Sequence, residues 1–149
     1  MCRAVFTNGD DQPSDVDIVL SVPGIGLHVA ACLFSEAGRY LLARDRPGFR
    51  NLCGTGPITK SSGKTRLVMM RRACNPRLRD SCYHWARIAV QREARAKQRY
   101  AALRARGHKH ARALRGAHDR EVDRLFAMLA HRQRYDPQRG RVPPGQQNT

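Results

Sequence analysis

The sequence predicts a mainly α-helical domain: a helix-hairpin-helix unit, a basic Ser-Gly loop, then a long antiparallel helical hairpin with disordered ends. Three observations predict it. Apolar residues recur at helical spacing in three stretches, 27–38, 76–106 and 111–132. Asn75-Pro76 before the second stretch suits an N-cap and first turn, and Gly38 and Gly107 suit helix stops. Pro23-Gly24-Ile25-Gly26 sits between two short helical segments. At 149 residues the chain is long enough for one ordinary domain.

Taken in order, residues 1–14 are polar, contain Gly9 and Pro13, and are expected to be a disordered leader. The domain is then expected over 15–136. Segment 15–22 is short and apolar-patterned and stops at Pro23. In 27–38 one face carries Val29, Ala30, Leu33, Phe34 and Ala37, so 15–38 reads as the helix-hairpin-helix. Segment 39–60 is loop-rich, with one short helix near 49–53. The serine loop is placed at 54–75, irregular and basic around Ser61-Ser62-Gly63-Lys64. In 76–106 the apolar positions are Leu78, Cys82, Trp85, Ala86 and Ala89, and this helix is expected to run to Arg106. A second helix over 111–132 carries Leu114, His118, Val122, Leu125, Phe126 and Leu129 on one face, giving a hairpin over 76–132. The Pro-rich 137–149 is expected to be a disordered tail.

Charge is the strongest functional signal. The chain has 28 Lys+Arg against 12 Asp+Glu, a formal charge of +16, and Arg outnumbers Lys 24 to 4. Residues 1–59 carry net −1 and residues 60–115 carry net +15. Signs on an ordinary solvated face alternate; here they do not. A phosphate backbone is the fitting counter-charge, because it offers a dense line of negative charge and releases counterions on binding. Arg is also the better phosphate fork. The plainer alternative is a helical surface in a chain that uses much Arg. No apolar run reaches the ~20 residues of a membrane span, and the N-terminus lacks a signal-peptide core, so a membrane partner is not expected. Five widely spaced cysteines, an odd number, argue against a disulfide framework and for a reducing cytoplasm.

Four motifs bear on the chemistry. Gly24 and Gly26 permit a tight turn and a close backbone approach to phosphate, with the first amides of the next helix aimed at the anion; such a unit binds DNA without reading sequence. A plain helix–helix turn is the alternative. The Gly63-Lys64-Thr65 ending imitates a phosphate-binding loop, but G-x-x-x-x-G-K-[ST] requires glycine where Ile58 stands, so nucleotide binding is rejected. Cys74, Cys82 and His84 lack a C-x-x-C and a second pair, so no metal site is expected and Cys82 reads as a buried small hydrophobe. Ser61-Ser62-Gly63-Lys64 lies among Lys60, Arg66, Arg71 and Arg72. Cations that hold a phosphate and neutralise its developing charge would make a serine hydroxyl useful there; a basic loop without chemistry is the alternative.

Several motifs agree in order. Pro23-Gly24-Ile25-Gly26, Gly54-x-Gly56-Pro57, Ser62-Gly63-Lys64, Asn75-Pro76-Arg77-Leu78-Arg79 and Tyr83-His84-Trp85-Ala86-Arg87 together resemble the C-terminal domain of the IS-one-ten (IS-one-sixteen, IS-nine-oh-two) family of insertion-sequence transposases. The resemblance spans Asp15 to Pro137. It implies a DNA recombinase in which an N-terminal RuvC-like domain with four metal-binding acidic residues works with this domain. The latter supplies a serine that attacks a DNA phosphodiester and becomes covalently linked. It also implies a structured guide RNA encoded by the element. Ser62 matches the family nucleophile, and Ser61 sits where the family varies. Lys60, Lys64, Arg66, Arg71, Arg72, Arg77 and Arg79, with Gly24 and Gly26, are the candidate nucleic-acid contacts.

The departure from the family is large, since only 14 residues precede the matching region. The RuvC-like domain is therefore expected to be missing. The chain then has no cofactor of its own, Mg²⁺ entering only with that domain, and a RuvC-like domain in trans or a second copy would be a partner. The expectation is a DNA-binding transposase fragment that is inactive alone. The alternative is a non-enzymatic basic helical protein that binds DNA or RNA.

Overall fold

The computed structural model describes residues 12–63, 65–70 and 73–139, with the backbone alone for the strand residues. The first helix, α1 (Asp15–Ser21), starts at a reciprocal cap. The Ser14 hydroxyl accepts the Asp17 amide at 3.2 Å, and the Asp17 carboxylate accepts the Ser14 amide at 3.2 Å. Ser14 therefore belongs to the domain rather than to a leader. Helix α2 (Leu27–Leu42) runs a turn past the expected stop. Gly38 lies inside it because the apolar face continues to Leu41, which is fully buried. The chain turns instead at Arg44, φ 56°. Its guanidinium forks onto Asp15 at 2.7 and 2.8 Å and ties the end of α2 to the start of α1.

Helix α3 (Arg46–Cys53) is capped by Asp45, which accepts the Gly48 amide at 2.9 Å, and ends at Gly54, φ 80°. The expected serine loop is not irregular. Strands β1 (Pro57–Ser62) and β2 (Thr65–Met70) pair antiparallel, with Pro57 opposite Met70 and Ser62 opposite Thr65. Their β-branched residues, Ile58, Thr59, Thr65 and Val68, suit a pleated ribbon. The connection between the strands opens on Gly63 at φ 55°, the positive φ that two-residue hairpin turns require.

The long helix expected to Arg106 is two helices. Helix α4 (Pro76–Arg92) starts at Asn75, whose side chain accepts the Leu78 amide at 3.1 Å, and stops at Glu93. Glu93 is extended (φ −109°, ψ 118°) and caps α5 (Ala94–Ala105) by accepting the Ala96 amide at 3.1 Å. Nothing in apolar periodicity marks this break, because a buried carboxylate at a cap makes it. Gly107, φ 84°, turns the chain into α6 (His110–Ala130). Leu103 packs so tightly on Gly116 that a β-carbon there would lie 2.5 Å from the Leu103 Cδ1 atom, which closes α5 against α6.

The core forms where α6 packs against α1, α3 and α4. Ile18, Leu33, Leu41, Phe49, Leu78, Trp85, Leu125 and Leu129 are fully buried. Burial of side chains of this size contributes roughly 1.5–3 kcal/mol each. Phe49 meets Phe126 edge to face at 5.4 Å. The apolar faces expected for α4 and α6 are all buried. In α2 the face holds except for Phe34, which is half-buried. Arg50 locks α3 to α6 as an ion pair with Asp119: its Nη2 donates to Oδ2 at 2.8 Å, and its Nε lies 2.7 Å from Oδ1. The first three residues of the expected tail, 137–139, form a turn closed by the Arg139 amide on the Asp136 carbonyl, and the Arg139 carbonyl accepts from Arg95 at 2.6 Å; the rest of that segment lies outside the described residues.

Candidate nucleic-acid interface

In the helix-hairpin-helix, the Ile25 amide donates to the Val22 carbonyl at 3.1 Å and closes the turn. The two glycines have different roles. At Gly24 (φ 92°) a β-carbon would lie 2.9 Å from Trp85 Cδ1 and from the Trp85 carbonyl oxygen, and 3.1 Å from the Ala89 nitrogen. Its close approach is to α4. Gly26 is the N-cap of α2, extended, with no side-chain cap and open space around it. Leu27 and His28 beside it are exposed. The first amides of α2 thus begin at the surface, where a helix start favours an anion.

Arg77 and Arg79 project from the first turns of α4. Arg77 is 84% exposed and only 3.6 Å from Glu36 of α2, and Arg79 lies 3.7 Å from Asp80. The Asn75 amide nitrogen, donating to Glu36 at 2.6 Å, and the Asn75 backbone, donating to Leu52, fix this corner. Glu36 thus marks where the start of α4 meets α2, while Gly24 marks where the middle of α4 meets the turn before α2. Nine residues at 1.5 Å separate Leu27 from Glu36, so the α2 start and the Arg77 corner lie about 14 Å apart along the helix pair. The two candidate groups form two stations of one surface, not one cluster.

Ser62 ends β1 beside the Gly63 turn, with Ser61 opposite Arg66 and Lys60 opposite Leu67. Lys64, Arg71 and Arg72 lie outside the described residues. Sequence reasoning stopped its contact set at Arg79 and missed a second basic surface. Between Glu93 and Asp119 there is no acidic residue, and eight cations fill the interval. Lys97, Arg104, Arg106, Lys109 and Arg112 are exposed on α5, α6 and their connection. Among the described residues none of the five pairs with a carboxylate. The missing acids were the signal that could have found them.

A cleft of about 150 Å³ lies between the end of α3, α4 and α6. Cys53 and Cys82 line it, both buried. A hydrogen bond from Cys82, and then Thr55, draws the Cys53 thiol down to about 7 against the effect of burial. The same contact and burial push Cys82 up. Among the described residues no group of three or more His, Cys, Asp or Glu is arranged to hold a metal ion, and no helix is long and apolar enough to cross a membrane.

The family model for transposases of the IS116/IS110/IS902 family matches residues 16–101. The chain is also 34% identical over 136 residues to a Streptomyces coelicolor mini-circle protein described as a transposase for IS117. That alignment covers 89% of this chain and 32% of the relative, so the chain spans about a third of the relative's length. The match over more than half the chain carries the glycine turn, the serine hairpin and the Arg77–Arg79 corner together: the chain belongs to the IS116/IS110/IS902 family of transposases.

Proposed function

We propose that this chain is the DNA-binding, nucleophile-bearing portion of a transposase. The observation that carries the reading is the net +15 over residues 60–115, with exposed cations on α4, α5 and α6. Phosphates along a duplex meet the open start of α2, the Arg77–Arg79 corner and the α5–α6 arm. None of these surfaces reads base edges, so binding is largely independent of sequence.

Ser62 is the nucleophile in this reading. Its hydroxyl oxygen bonds to the phosphorus of a phosphodiester, its proton passes to a base, and the displaced DNA oxygen leaves as a hydroxyl. Family membership and the neighbouring cations support that assignment. The described residues offer no carboxylate set for a metal, so no step is assigned to one. A RuvC-like domain supplied in trans would carry the four acidic residues, and a structured RNA would guide the complex. The test is a salt titration of duplex binding by the full chain, where affinity should fall by about one log unit per log of salt for each phosphate contacted. A flat response removes the basic segment from the reading.

The non-enzymatic alternative, a basic helical DNA- or RNA-binding protein, draws on the acid-free segment 94–118 of α5 and α6, which lies mostly outside the residues that match the family model. Retention of all binding by a variant lacking charge at Arg77 and Arg79, with its loss on neutralising the arm, favours that alternative.

A further inference from the structure

We propose that the β1–β2 ribbon lies in the major groove of a B-form DNA duplex. The inference rests on the nucleic-acid reading above and names the part of the duplex that the ribbon occupies. Both feet of the ribbon are fixed to the end of α3. The Thr55 and Gly56 backbone amides donate to the Arg50 carbonyl, each at 3.0 Å, and the Asn75 backbone amide donates to the Leu52 carbonyl at 2.8 Å. A β-carbon on Gly56 would lie 2.6 Å from the Asn51 Oδ1 atom, so the chain enters β1 pressed against α3. Beyond these feet, among the described residues, the ribbon packs on no helix by more than marginal contact. Its sheet has two strands there, so the outer edge of each is unpaired. A two-stranded hairpin alone is marginal in water and is stabilised by a partner that covers it.

Charge and shape select that partner. No acidic residue occurs from Arg46 to Arg79. Lys60 stands on β1 opposite Leu67, and Arg66 stands on β2 opposite Ser61, so each strand carries one cation. A second copy of the ribbon would bring like charges together, whereas a groove has a wall of phosphates on each side. Strands about 4.8 Å apart, with side chains on both faces, fit the ~12 Å major groove of B-form DNA and not its ~6 Å minor groove. The A-form major groove of duplex RNA is too narrow to admit them. Six residues at about 3.4 Å give the ribbon a length of roughly 20 Å, or about six base pairs. The second foot is also continuous with the Arg77–Arg79 corner. Asn75 caps α4, and Arg77, two residues on, is 84% exposed. The corner then meets phosphates at the rim of the groove, and Ser62, at the far end of β1, runs alongside one phosphate wall.

The experiment measures the affinity of the full chain for one DNA duplex in two forms, with plain cytosines or with glucosylated 5-hydroxymethylcytosines, whose sugars fill the major groove. The glucosylated form should bind about tenfold more weakly, the scale of one lost groove contact. Replacing adenine by 2,6-diaminopurine, which adds an amino group in the minor groove, should change affinity by less than about twofold. These readouts need no variant to fold. The double variant Lys60→Gln, Arg66→Gln should lower the salt slope by about two and shrink the penalty of the glucosyl groups. Equal affinity for the plain and glucosylated forms overturns groove insertion; with a steep salt response intact, it leaves the nucleic-acid reading standing. A flat salt response overturns that reading as well. Duplex RNA of the same sequence bound as tightly as plain DNA overturns the B-form assignment. A chain that sediments as a dimer without DNA, and as a monomer in the double variant, gives the ribbon to a second copy and overturns the proposal.

Discussion

Gly24 touches Trp85. A β-carbon on Gly24 would sit 2.9 Å from the indole Cδ1 and from the Trp85 carbonyl oxygen. The turn of the helix-hairpin-helix is thereby pressed onto the fully buried centre of α4, and the glycine serves packing first. It holds the start of α2 in place, and the anion-favouring amides follow from that placement.

Gly24→Ala should accordingly destabilise the fold by roughly 3 kcal/mol, combining strain at φ 92° with a backbone clash. Gly26→Ser should be neutral or slightly stabilising, since Gly26 has open space and its helix lacks a side-chain cap. Urea denaturation of both variants checks the contrast. Equal losses would show that the turn, rather than its contact with α4, sets the cost.

His118 makes stability depend on pH in a defined direction. Its pKa is lowered by burial to about 4 in the folded chain, from 6.5. Between those values the unfolded chain takes up a proton that the folded chain refuses, so stability is full above about pH 6.5 and falls as pH drops toward 4. The loss approaches about 3 kcal/mol at the lower end. Asp119 and Glu121, raised by burial, act in the opposite sense within the carboxylate range. Denaturation midpoints measured from pH 7 to pH 5 should therefore decline in the native chain and stay nearly level in His118→Phe. A decline of equal size in both would assign the effect elsewhere.

Glu93 joins two helices and anchors the segment that follows α6 through Tyr135. Besides capping α5, it accepts the Tyr135 hydroxyl at 3.0 Å and pairs with Arg124 at 3.4 Å. Burial pushes its carboxyl up, but the Ala96 amide, Tyr135 and Arg124 outweigh that and hold it below the usual range. Glu93→Ala should cost about 2 kcal/mol, through a lost cap and unsatisfied partners. Glu93→Gln keeps an acceptor and should cost about half as much. Loss of helicity at 222 nm in Glu93→Ala, without change in Glu93→Gln, would point to the cap alone.

These residues show what was legible in the sequence. The apolar faces of α2, α4 and α6 could be read because helical burial repeats every three or four residues. The N-caps at Asn75 and the stop at Gly107 could be read because their chemistry is local. The break at Glu93 was hidden, because its cause is a partner forty-two residues away, Tyr135, and another on α6. The β1–β2 hairpin reads as a loop in the sequence, because six-residue strands among basic residues carry little periodicity. The cleft was invisible for a related reason: Cys53, Cys82 and His118 lie on three different helices, and only packing brings them together. For the basic arm the sequence was explicit, since a stretch without acids needs no structure to be seen.

Ser62 yields the sharpest test of the proposed chemistry. Attack on a phosphodiester needs a phosphate held in line with the hydroxyl and a group to take its proton. Lys60, Lys64 and Arg66, close to Ser62 in sequence, are the candidates for the first, and among the described residues no group of three or more His, Cys, Asp or Glu is arranged to hold a metal for the second. The chain by itself should therefore form no covalent DNA adduct. Supplied with a RuvC-like domain from a family relative, Mg²⁺ and the element's RNA, it should form one that survives denaturing electrophoresis. Ser62→Ala should abolish that adduct, Ser61→Ala should preserve it, and duplex affinity should change less than twofold in either. An adduct lost with Ser61→Ala and kept with Ser62→Ala would move the nucleophile by one residue along β1. An adduct formed by the chain alone would mean that a proton acceptor already lies within it.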